Sequence, residues 1–367
     1  MIKIAPHARR ITLIVAAGVA ARLLLLAVVD PFQNPFGGDS FYYAAGRLDG
    51  LRPPLYILFA RFTLPVGLWF SLMLQCAFSI CVAAYTYVSL GKFWPAMLLV
   101  LCPFIIFFDF CLIAESIYVN LLWLGWLFLR RDQGLKAGLL VGLALLTRDT
   151  LLLLPLFSLL WLRSKAAARM TASAYVIALP WFLFAATPGR MALNLWIGTW
   201  ERDGAWMAAG FTDPQVPPYA FVAKGEREEV GKNLSGVTLQ TVANHALANP
   251  LQVLRAWGAR YPSLWLGTRS DLIEFRASRQ GLIWTVEKAV FYLLNIALLT
   301  LGMCGLFYIE RVFLPPVAYA ALIHIPFHAE ARFTLFAVPF LIVAAVSFVV
   351  RVWPARWRYR APTLQRA

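Results

Sequence analysis

The sequence is poor in charged residues, which argues against a soluble protein. Only 14% of its 367 residues are charged, whereas 61% are hydrophobic, and a soluble domain is about 45–50% apolar. Basic residues outnumber acidic ones by 33 to 18. However, they fall in short clusters between apolar runs, without a zinc-ligand spacing or a basic groove with interleaved aromatic residues. We therefore expect no nucleic acid partner.

Cysteine is scarce and shows no pattern of a metal or redox site. The five cysteines lie in or beside apolar runs, without a CxxC or CxxH spacing: Cys76, Cys81, Cys102, Cys111 and Cys304. Such positions are typical of small core residues. A disulfide between Cys102 and Cys111 has no support from this pattern.

A cleavage site for a signal peptidase is also missing. The basic start "MIKIAPHARR" precedes an apolar run over 11–29, which ends in "LAVVDPF" without a small-x-small motif. The run is long for the apolar core of a signal peptide. We predict an uncleaved first transmembrane helix.

Apolar runs are what the sequence has in abundance. A helix crosses a hydrocarbon core about 30 Å thick with about twenty residues, so the runs predict an all-α transmembrane bundle of about ten spans, in one domain over 1–367. The predicted spans are 11–29, 67–90, 93–108, 111–129, 135–147, 150–162, 171–187, 284–308, 312–327 and 333–350. The runs within 135–162 and 312–327 are short, so these helices either tilt or do not cross completely.

Lysine and arginine in the short connections predict the orientation. Cytoplasmic loops of membrane proteins carry an excess of these residues. With a cytoplasmic N-terminus, the basic residues of the short loops all fall inside: Lys92, Arg130, Arg131, Lys136, Arg163, Lys165, Arg169 and Arg311. We expect an inner-membrane protein with both termini in the cytoplasm, including the basic tail 351–367. The two long segments, 30–66 and 188–283, then lie outside.

The second long segment contains a predicted amphipathic helix. Asn249 suits the N-cap and Pro250 the first helical position. Five apolar residues fall near one face: Leu251, Leu254, Trp257, Tyr261 and Leu264. Such a helix either lies on the membrane surface or packs against the bundle, and the sequence does not separate the two.

Three glycines at a spacing of four residues predict a close helix contact. Gly134, Gly138 and Gly142 leave one helix face without side chains. A smooth face allows a neighbouring helix to approach closely. This is a packing feature and implies no chemistry.

Charged residues beside the apolar runs gather at the predicted outer ends. Charges at membrane depth are costly, so each is a candidate for function. Asp39 lies in the first outer loop, and Arg22 lies inside the first span, about 10 Å from its outer end. The other candidates lie at the remaining outer turns: Asp109, Glu115, Arg148, Asp149, His324, His328, Glu330 and Arg332.

Each candidate has a structural alternative. Arg22 could pair with a carboxylate of a neighbouring helix, Arg148 with Asp149, and Asp39 could be an N-cap. The histidines with Glu330 lack a strong metal-ligand spacing, so we expect no metal site and no cofactor.

Four short stretches carry a resemblance to a known family. They are Asp39 and Tyr43 with "PPLY" at 53–56, "AES" at 114–116, "GLALLTR" at 142–148, and "HAEARF" at 328–333. The chain resembles the GT-C class of integral-membrane glycosyltransferases, in particular the family of protein O-mannosyltransferases and aminoarabinose transferases. Ser40 departs from the pattern, because many members have a second acidic residue there, and Phe333 stands where Tyr is usual.

The resemblance implies a GT-C-like fold and a specific reaction. The protein would transfer a sugar from a polyprenyl-phosphate donor to an envelope acceptor, a lipid, glycan or protein, at the outer face of the membrane. Asp39 would be the catalytic base for the acceptor hydroxyl. The leaving lipid phosphate would be stabilised by arginines, for which the candidates are Arg332, Arg148 and Arg22. The supporting residues would be Glu115, Glu330, Tyr43 and His328.

Two other functions remain open. A lipid-linked oligosaccharide polymerase also has a large outer loop, but it would depend on loop arginines and would not need Asp39. A lipid or solute transporter typically shows internal repeats and helices broken at mid-membrane, and the sequence shows neither. The positions of the polar residues at the outer face favour an enzyme.

Overall fold

The structure, a computed structural model, is built from α-helices. It describes residues 6–28, 40–45, 53–184, 239–266, 282–308, 310–323 and 331–358, and no strand occurs in these ranges. The predicted all-α bundle is confirmed.

The helices are numbered here in chain order over the described residues. They are α1 Pro6–Val28, α2 Ser40–Ala45, α3 Pro54–Thr63, α4 Leu68–Leu90, α5 Phe93–Val100, α6 Pro103–Asp109, α7 Glu115–Arg130, α8 Gly134–Leu145, α9 Leu154–Leu162, α10 Lys165–Phe184, α11 Leu239–Ala248, α12 Pro250–Leu266, α13 Leu282–Tyr308, α14 Leu314–Ile323 and α15 Val338–Arg358. Short 3-10 turns at Asp149–Leu151, Arg311–Phe313 and Ala331–Ala337 join some of them.

Five helices of the described chain are long and apolar enough to cross a membrane. Their membrane-competent parts are Pro6–Ala27, Leu68–Leu90, Lys165–Leu183, Ala289–Tyr308 and Thr334–Arg351. They correspond to five of the predicted spans: 11–29, 67–90, 171–187, 284–308 and 333–350. The other predicted spans are shorter or broken helices, so the structure supports five spans by length rather than about ten.

The structure corrects the prediction of a continuous span over 93–108. The structure breaks it into α5 and α6, separated by Leu101 and Cys102. Pro103 has no N–H to donate and its ring disfavours a continuing helix. It therefore ends α5 and starts α6 at the first helical position. The proline signal was present in the sequence.

Helices α7, α8 and α10 pack side by side, as the glycine series predicts. A Cβ added to Gly138 would lie 1.8 Å from Ser173 Oγ and 2.5 Å from the carbonyl oxygen of Met170. A Cβ at Gly134 would lie 2.3 Å from the carbonyl oxygen of Ala166. The predicted close approach is confirmed, and α10 is the neighbour.

We expect Gly138→Ala to lower the free energy of unfolding by about 1–3 kcal/mol, because the added methyl group overpacks the α8–α10 contact. Gly258→Ala is the matched control, since a Cβ on the exposed Gly258 of α12 meets nothing within 4 Å. Thermal unfolding of the two variants in detergent measures the difference. Equal stability of both variants would contradict the close contact.

Helix α12 begins at Pro250, as predicted. Its packing bears on whether the helix lies on the membrane surface or packs against the bundle. Val253, Ala256 and Trp265 are buried, and the helix packs against the 3-10 turn Ala331–Ala337. Leu251 and Leu254 of the predicted apolar face are 69% and 58% exposed. Packing against the bundle is therefore correct for one face of α12. Contact of the exposed face with the membrane surface stays a prediction.

The bundle has two ends that carry different charged residues, and α7 connects them. Glu115 begins α7 and Arg130 ends it, a distance of about 24 Å at 1.5 Å per residue. At the Arg130 end, Lys92 and Arg130 contact Glu310 at 2.9 and 3.6 Å. We call this the Glu310 end, and the opposite one the Asp109 end. Basic residues predicted to be cytoplasmic meet at the Glu310 end.

Candidate functional site

Asp109 is the centre of a buried polar network at the Asp109 end. Its carboxylate is completely buried. Oδ2 accepts hydrogen bonds from Arg22 Nε at 3.1 Å and Nη2 at 2.5 Å, and Oδ1 accepts from the hydroxyl groups of Ser79 at 2.6 Å and Ser116 at 2.5 Å. Four donors on one carboxylate fix its orientation.

Arg22 uses its remaining donor group on two backbone carbonyls. Its Nη1 donates to the carbonyl oxygens of Gly18 at 3.1 Å and Val100 at 3.3 Å. Val100 is the last residue of α5, just before the break at Pro103, so the guanidinium satisfies a carbonyl at the helix end. Arg22 therefore ties α1 to α5 and α6. The residue is 4% exposed.

Gln75 extends the network to α3. Its Nε2 donates to the backbone oxygens of Asp109 at 3.1 Å and Cys111 at 2.9 Å. Its Oε1 accepts a hydrogen bond from the Tyr56 hydroxyl at 2.7 Å. Burial, and secondarily the neighbouring Tyr43, raises the pKa of Tyr56 well above its usual value, so the phenol keeps its proton and donates it.

Tyr43 anchors α2 on this assembly. Its ring is 1% exposed and meets the Tyr56 ring edge-on, with 4.5 Å between the ring centroids. This geometry is favourable for aromatic pairs. The contact attaches α2, which begins directly after Asp39 in the chain, to the Gln75 and Asp109 network.

A second buried ion pair lies between Glu115 and Arg148. Arg148 Nη1 is 3.4 Å from Glu115 Oε1, and both side chains are at most 5% exposed. The pair connects the start of α7 with the residue that precedes the 3-10 turn Asp149–Leu151. Removing one partner of such a pair leaves a buried charge, which is strongly destabilising.

The stretches that carry the family resemblance meet at the Asp109 end. The backbone N–H of Leu55, in "PPLY", donates to the carbonyl oxygen of Leu146, in "GLALLTR", at 2.8 Å. "AES" contributes both Glu115, to Arg148, and Ser116, to Asp109.

The 3-10 turn Ala331–Ala337, which contains the end of "HAEARF", packs against α7. Phe336, in the 3-10 turn Ala331–Ala337, lies 6.4 Å from the ring of Tyr118 in α7. Tyr319 of α14 donates a hydrogen bond to the carbonyl oxygen of Thr150 at 2.7 Å. Three of the stretches, "PPLY", "AES" and "GLALLTR", are thus neighbours in space, and the turn Ala331–Ala337 packs against the helix that "AES" begins.

The structure changes the interpretation of two predicted phosphate ligands. Arg22 forms an ion pair with Asp109, which is the structural alternative to a phosphate contact. Its Nε, Nη1 and Nη2 groups all donate hydrogen bonds within the protein. Arg148 forms a buried ion pair with Glu115, whereas the expected partner was Asp149. Both arginines therefore hold helices together in this structure.

The structure describes only some of the other predicted site residues. Tyr43 lies at the site, as does Glu115. Asp39, His324, His328 and Glu330 lie outside the described residues, and so does the side chain of Arg332, whose backbone belongs to the 3-10 turn Ala331–Ala337. Their predicted roles stay predictions.

Sequence reasoning missed a row of buried polar residues on α4, of which Gln75 and Ser79 contact Asp109. Ser71, Gln75 and Ser79 of α4 are all at most 4% exposed. They recur every four residues, which puts them on one helix face. A polar stripe inside an apolar run was the available signal.

Sequence reasoning also missed the cluster at the other end of the bundle. Glu310 accepts a hydrogen bond from Lys92 at 2.9 Å, and Lys92 also donates to Ser347 Oγ at 2.9 Å. Glu310 and Ser347 are buried. The cluster joins α5, α7 and α15 around one carboxylate.

Metal ligation is not evident in the part of the chain that the structure describes. Within it, no three His, Cys, Asp or Glu residues are grouped to hold a metal ion. The expectation of no metal stays a prediction, because several candidates lie outside these residues.

Comparisons with known proteins do not identify a relative. No family model, no curated protein and no solved structure matches this chain.

Proposed function

We propose that the protein is a membrane-embedded glycosyltransferase with a polyprenyl-phosphate sugar donor and an acceptor in the cell envelope. The convergence of "PPLY", "AES" and "GLALLTR" at one end of the bundle carries this proposal. These stretches are the basis of the resemblance to GT-C enzymes. Their convergence is what an active site assembled from several helices requires.

The proposed reaction is a direct displacement at the anomeric carbon of the sugar. The acceptor hydroxyl forms the new C–O bond and gives its proton to Asp39. The bond between the anomeric carbon and the phosphate oxygen breaks, and its electron pair leaves with the lipid phosphate. One carboxylate that acts as base in a single displacement inverts the anomeric centre. A base of this kind contributes about 10²–10⁴-fold to the rate.

The described residues around the first outer loop support this role of Asp39. Helix α2 begins at Ser40, and Tyr43 attaches it to Tyr56 of "PPLY". Tyr56 is in turn fixed by Gln75 of α4. A catalytic side chain works best when rigid elements support its backbone, and this chain of contacts provides such a support beside Asp39.

The ten-span GT-C arrangement is part of the same proposal. Helices α7 and α8 are 16 and 12 residues long, shorter than the about twenty residues of an isolated span. Nevertheless, α7 reaches from the Glu115–Arg148 pair to the Arg130–Glu310 contact. Most residues of α7 are buried in the bundle, so its length does not have to match the full bilayer thickness.

One observation favours a transporter as the second candidate. The run 93–108 is broken at Pro103, and broken helices are common at transporter binding sites. However, the carbonyl oxygen of Val100 beside this break accepts a hydrogen bond from Arg22, and Arg22 is itself paired with Asp109. These groups bind each other and not a transported ligand. We therefore rank the transporter below the transferase.

A transfer assay tests the proposal directly. The purified chain, reconstituted in lipid, should move labelled sugar from a polyprenyl-phosphate sugar to an envelope extract, and mass analysis of the envelope after deletion should name the acceptor. Growth of a repeating glycan chain would indicate the polymerase. Movement of the intact donor lipid across vesicles without sugar transfer would indicate the transporter.

The active face is expected on the outside of the membrane. In a variant without native cysteines, Ser40→Cys should react with a membrane-impermeant thiol reagent in intact spheroplasts. Asp132→Cys, in the connection between α7 and α8 at the Glu310 end, is the matched control and should react only after lysis. The reverse labelling pattern would invert the proposed topology and remove the reason for a lipid-linked donor.

A further inference from the structure

A groove of about 460 Å³ lies between α2 and the connection from α3 to α4. Its size is within the usual range of ligand sites, about 300–1,000 Å³. It is lined by Ala44, Ala45, Ala60, Arg61, Leu64 and Pro65. Three of the lining residues are alanines, which we call the floor, and Arg61 is the one cation among the six.

Arg61 is the group in this groove that can bind an anion. It lies in the last turn of α3 and is exposed. Among the residues that the structure describes, no ion pair or hydrogen bond engages its side chain. A free guanidinium presents a planar set of donors that matches the oxygens of a phosphate.

The surface next to the groove is apolar and exposed. Phe62, Val66 and Trp69 are 75%, 58% and 53% exposed. Trp69 lies at the start of α4, a membrane-competent helix, where tryptophan commonly marks the boundary between lipid and water. The groove therefore lies beside an exposed apolar surface that suits lipid, and Arg61 directly precedes Phe62 of that surface.

Two of the arginines predicted to bind the phosphate, Arg22 and Arg148, are less suited to this task. Arg22 and Arg148 are both buried in ion pairs, with Asp109 and Glu115. Recruiting either one to a phosphate would leave a buried carboxylate without its partner, at a large energetic cost. Arg61 can bind a phosphate without breaking any described contact.

We propose that Arg61 contacts the phosphate of the polyprenyl donor, and that the Ala44, Ala45 and Ala60 floor receives the first part of its lipid chain. The choice of ligand rests on the proposed function. Helix α2 carries two floor residues and directly follows Asp39, so one short helix would connect the donor groove with the catalytic base. Free phosphate fits less well, because alanine side chains offer it no donors.

Equilibrium binding of a polyprenyl monophosphate to the full-length protein, followed by native mass spectrometry, tests this assignment. Arg61→Gln should weaken binding about tenfold, as expected for the loss of one charge-assisted contact. Ala45→Leu, which fills the groove from an exposed position, should weaken binding as well. Arg255→Gln, an exposed arginine of α12, is the matched control and should bind like the wild type.

Three further ligands identify what the groove recognises. The corresponding polyprenol, which lacks the phosphate, should bind weakly to the wild type and equally to Arg61→Gln. Inorganic phosphate and phosphatidylglycerol should compete poorly. Unchanged binding of polyprenyl monophosphate by both groove variants, or equal competition by either of these two ligands, would overturn the assignment.

The failure of this inference is distinguishable from the failure of the proposed function. Binding that depends on Arg61, without sugar transfer by the wild type, supports the groove and contradicts the transferase. Transfer that survives in Arg61→Gln with unchanged donor binding contradicts the groove and leaves the transferase intact.

Discussion

Asp39→Asn is expected to lower sugar transfer by about 10²–10⁴-fold, which is the usual contribution of a positioned general base. The amide has nearly the same shape as the carboxylate but cannot accept the proton of the acceptor hydroxyl. An asparagine can still cap the start of α2, because Asn and Asp are similarly good N-caps. Insertion and thermal stability should therefore stay close to those of the wild type.

Asp132→Asn is the matched control for this substitution. Asp132 is exposed, lies at the Glu310 end, and has a φ of 60°. Asparagine tolerates this left-handed conformation well. Its transfer rate should equal that of the wild type. Near-normal turnover by a well-folded Asp39→Asn protein would show that the base is another group.

The second large effect is on stability. Asp109→Asn should lower the free energy of unfolding by about 3–5 kcal/mol, because it leaves the buried Arg22 guanidinium without its counter-charge. The loss should appear in thermal or denaturant unfolding of the protein in detergent.

A double variant tests whether the stability loss of Asp109→Asn comes from the unpaired charge of Arg22 or from the changed shape of the side chain. Arg22→Met together with Asp109→Asn removes both charges and keeps an amide oxygen to accept from Ser79 and Ser116. We expect this double variant to recover most of the lost stability, since replacing a whole buried ion pair is often nearly neutral. If it also keeps donor binding, Arg22 has a structural role. A double variant as unstable as Asp109→Asn would show that the unpaired charge is not the cause.

Helix positions were the most predictable part of the fold. Helix α4, predicted over 67–90, occupies Leu68–Leu90, because Gly67 and Gly91 delimit it and Gly91 takes the left-handed conformation that ends helices, with a φ of 66°. The glycine face of α8 also followed from its four-residue spacing. Both are local signals, and local signals are what a single sequence contains.

Pairing between distant helices was not predictable in the same way. Arg22 and Asp109 are 87 residues apart, and both were candidates, but nothing in the spacing says that they meet. Arg148 illustrates the same limit, since its neighbour in sequence, Asp149, suggested a local pair, whereas the fold brings Glu115 to it. A sequence pattern gives the face of a helix, and tertiary packing decides which faces meet.

The Glu310 cluster has a consequence for how the protein is made. Lys92 and Arg130 enter the membrane region early in synthesis, whereas Glu310 and Ser347 follow only about two hundred residues later, at a rate of about 5–20 residues per second. During these seconds the two cations have no buried carboxylate to bind. The nascent chain is thus an incomplete bundle until its last helices arrive, and a chain truncated before Glu310 would lack the carboxylate that Lys92 and Arg130 contact.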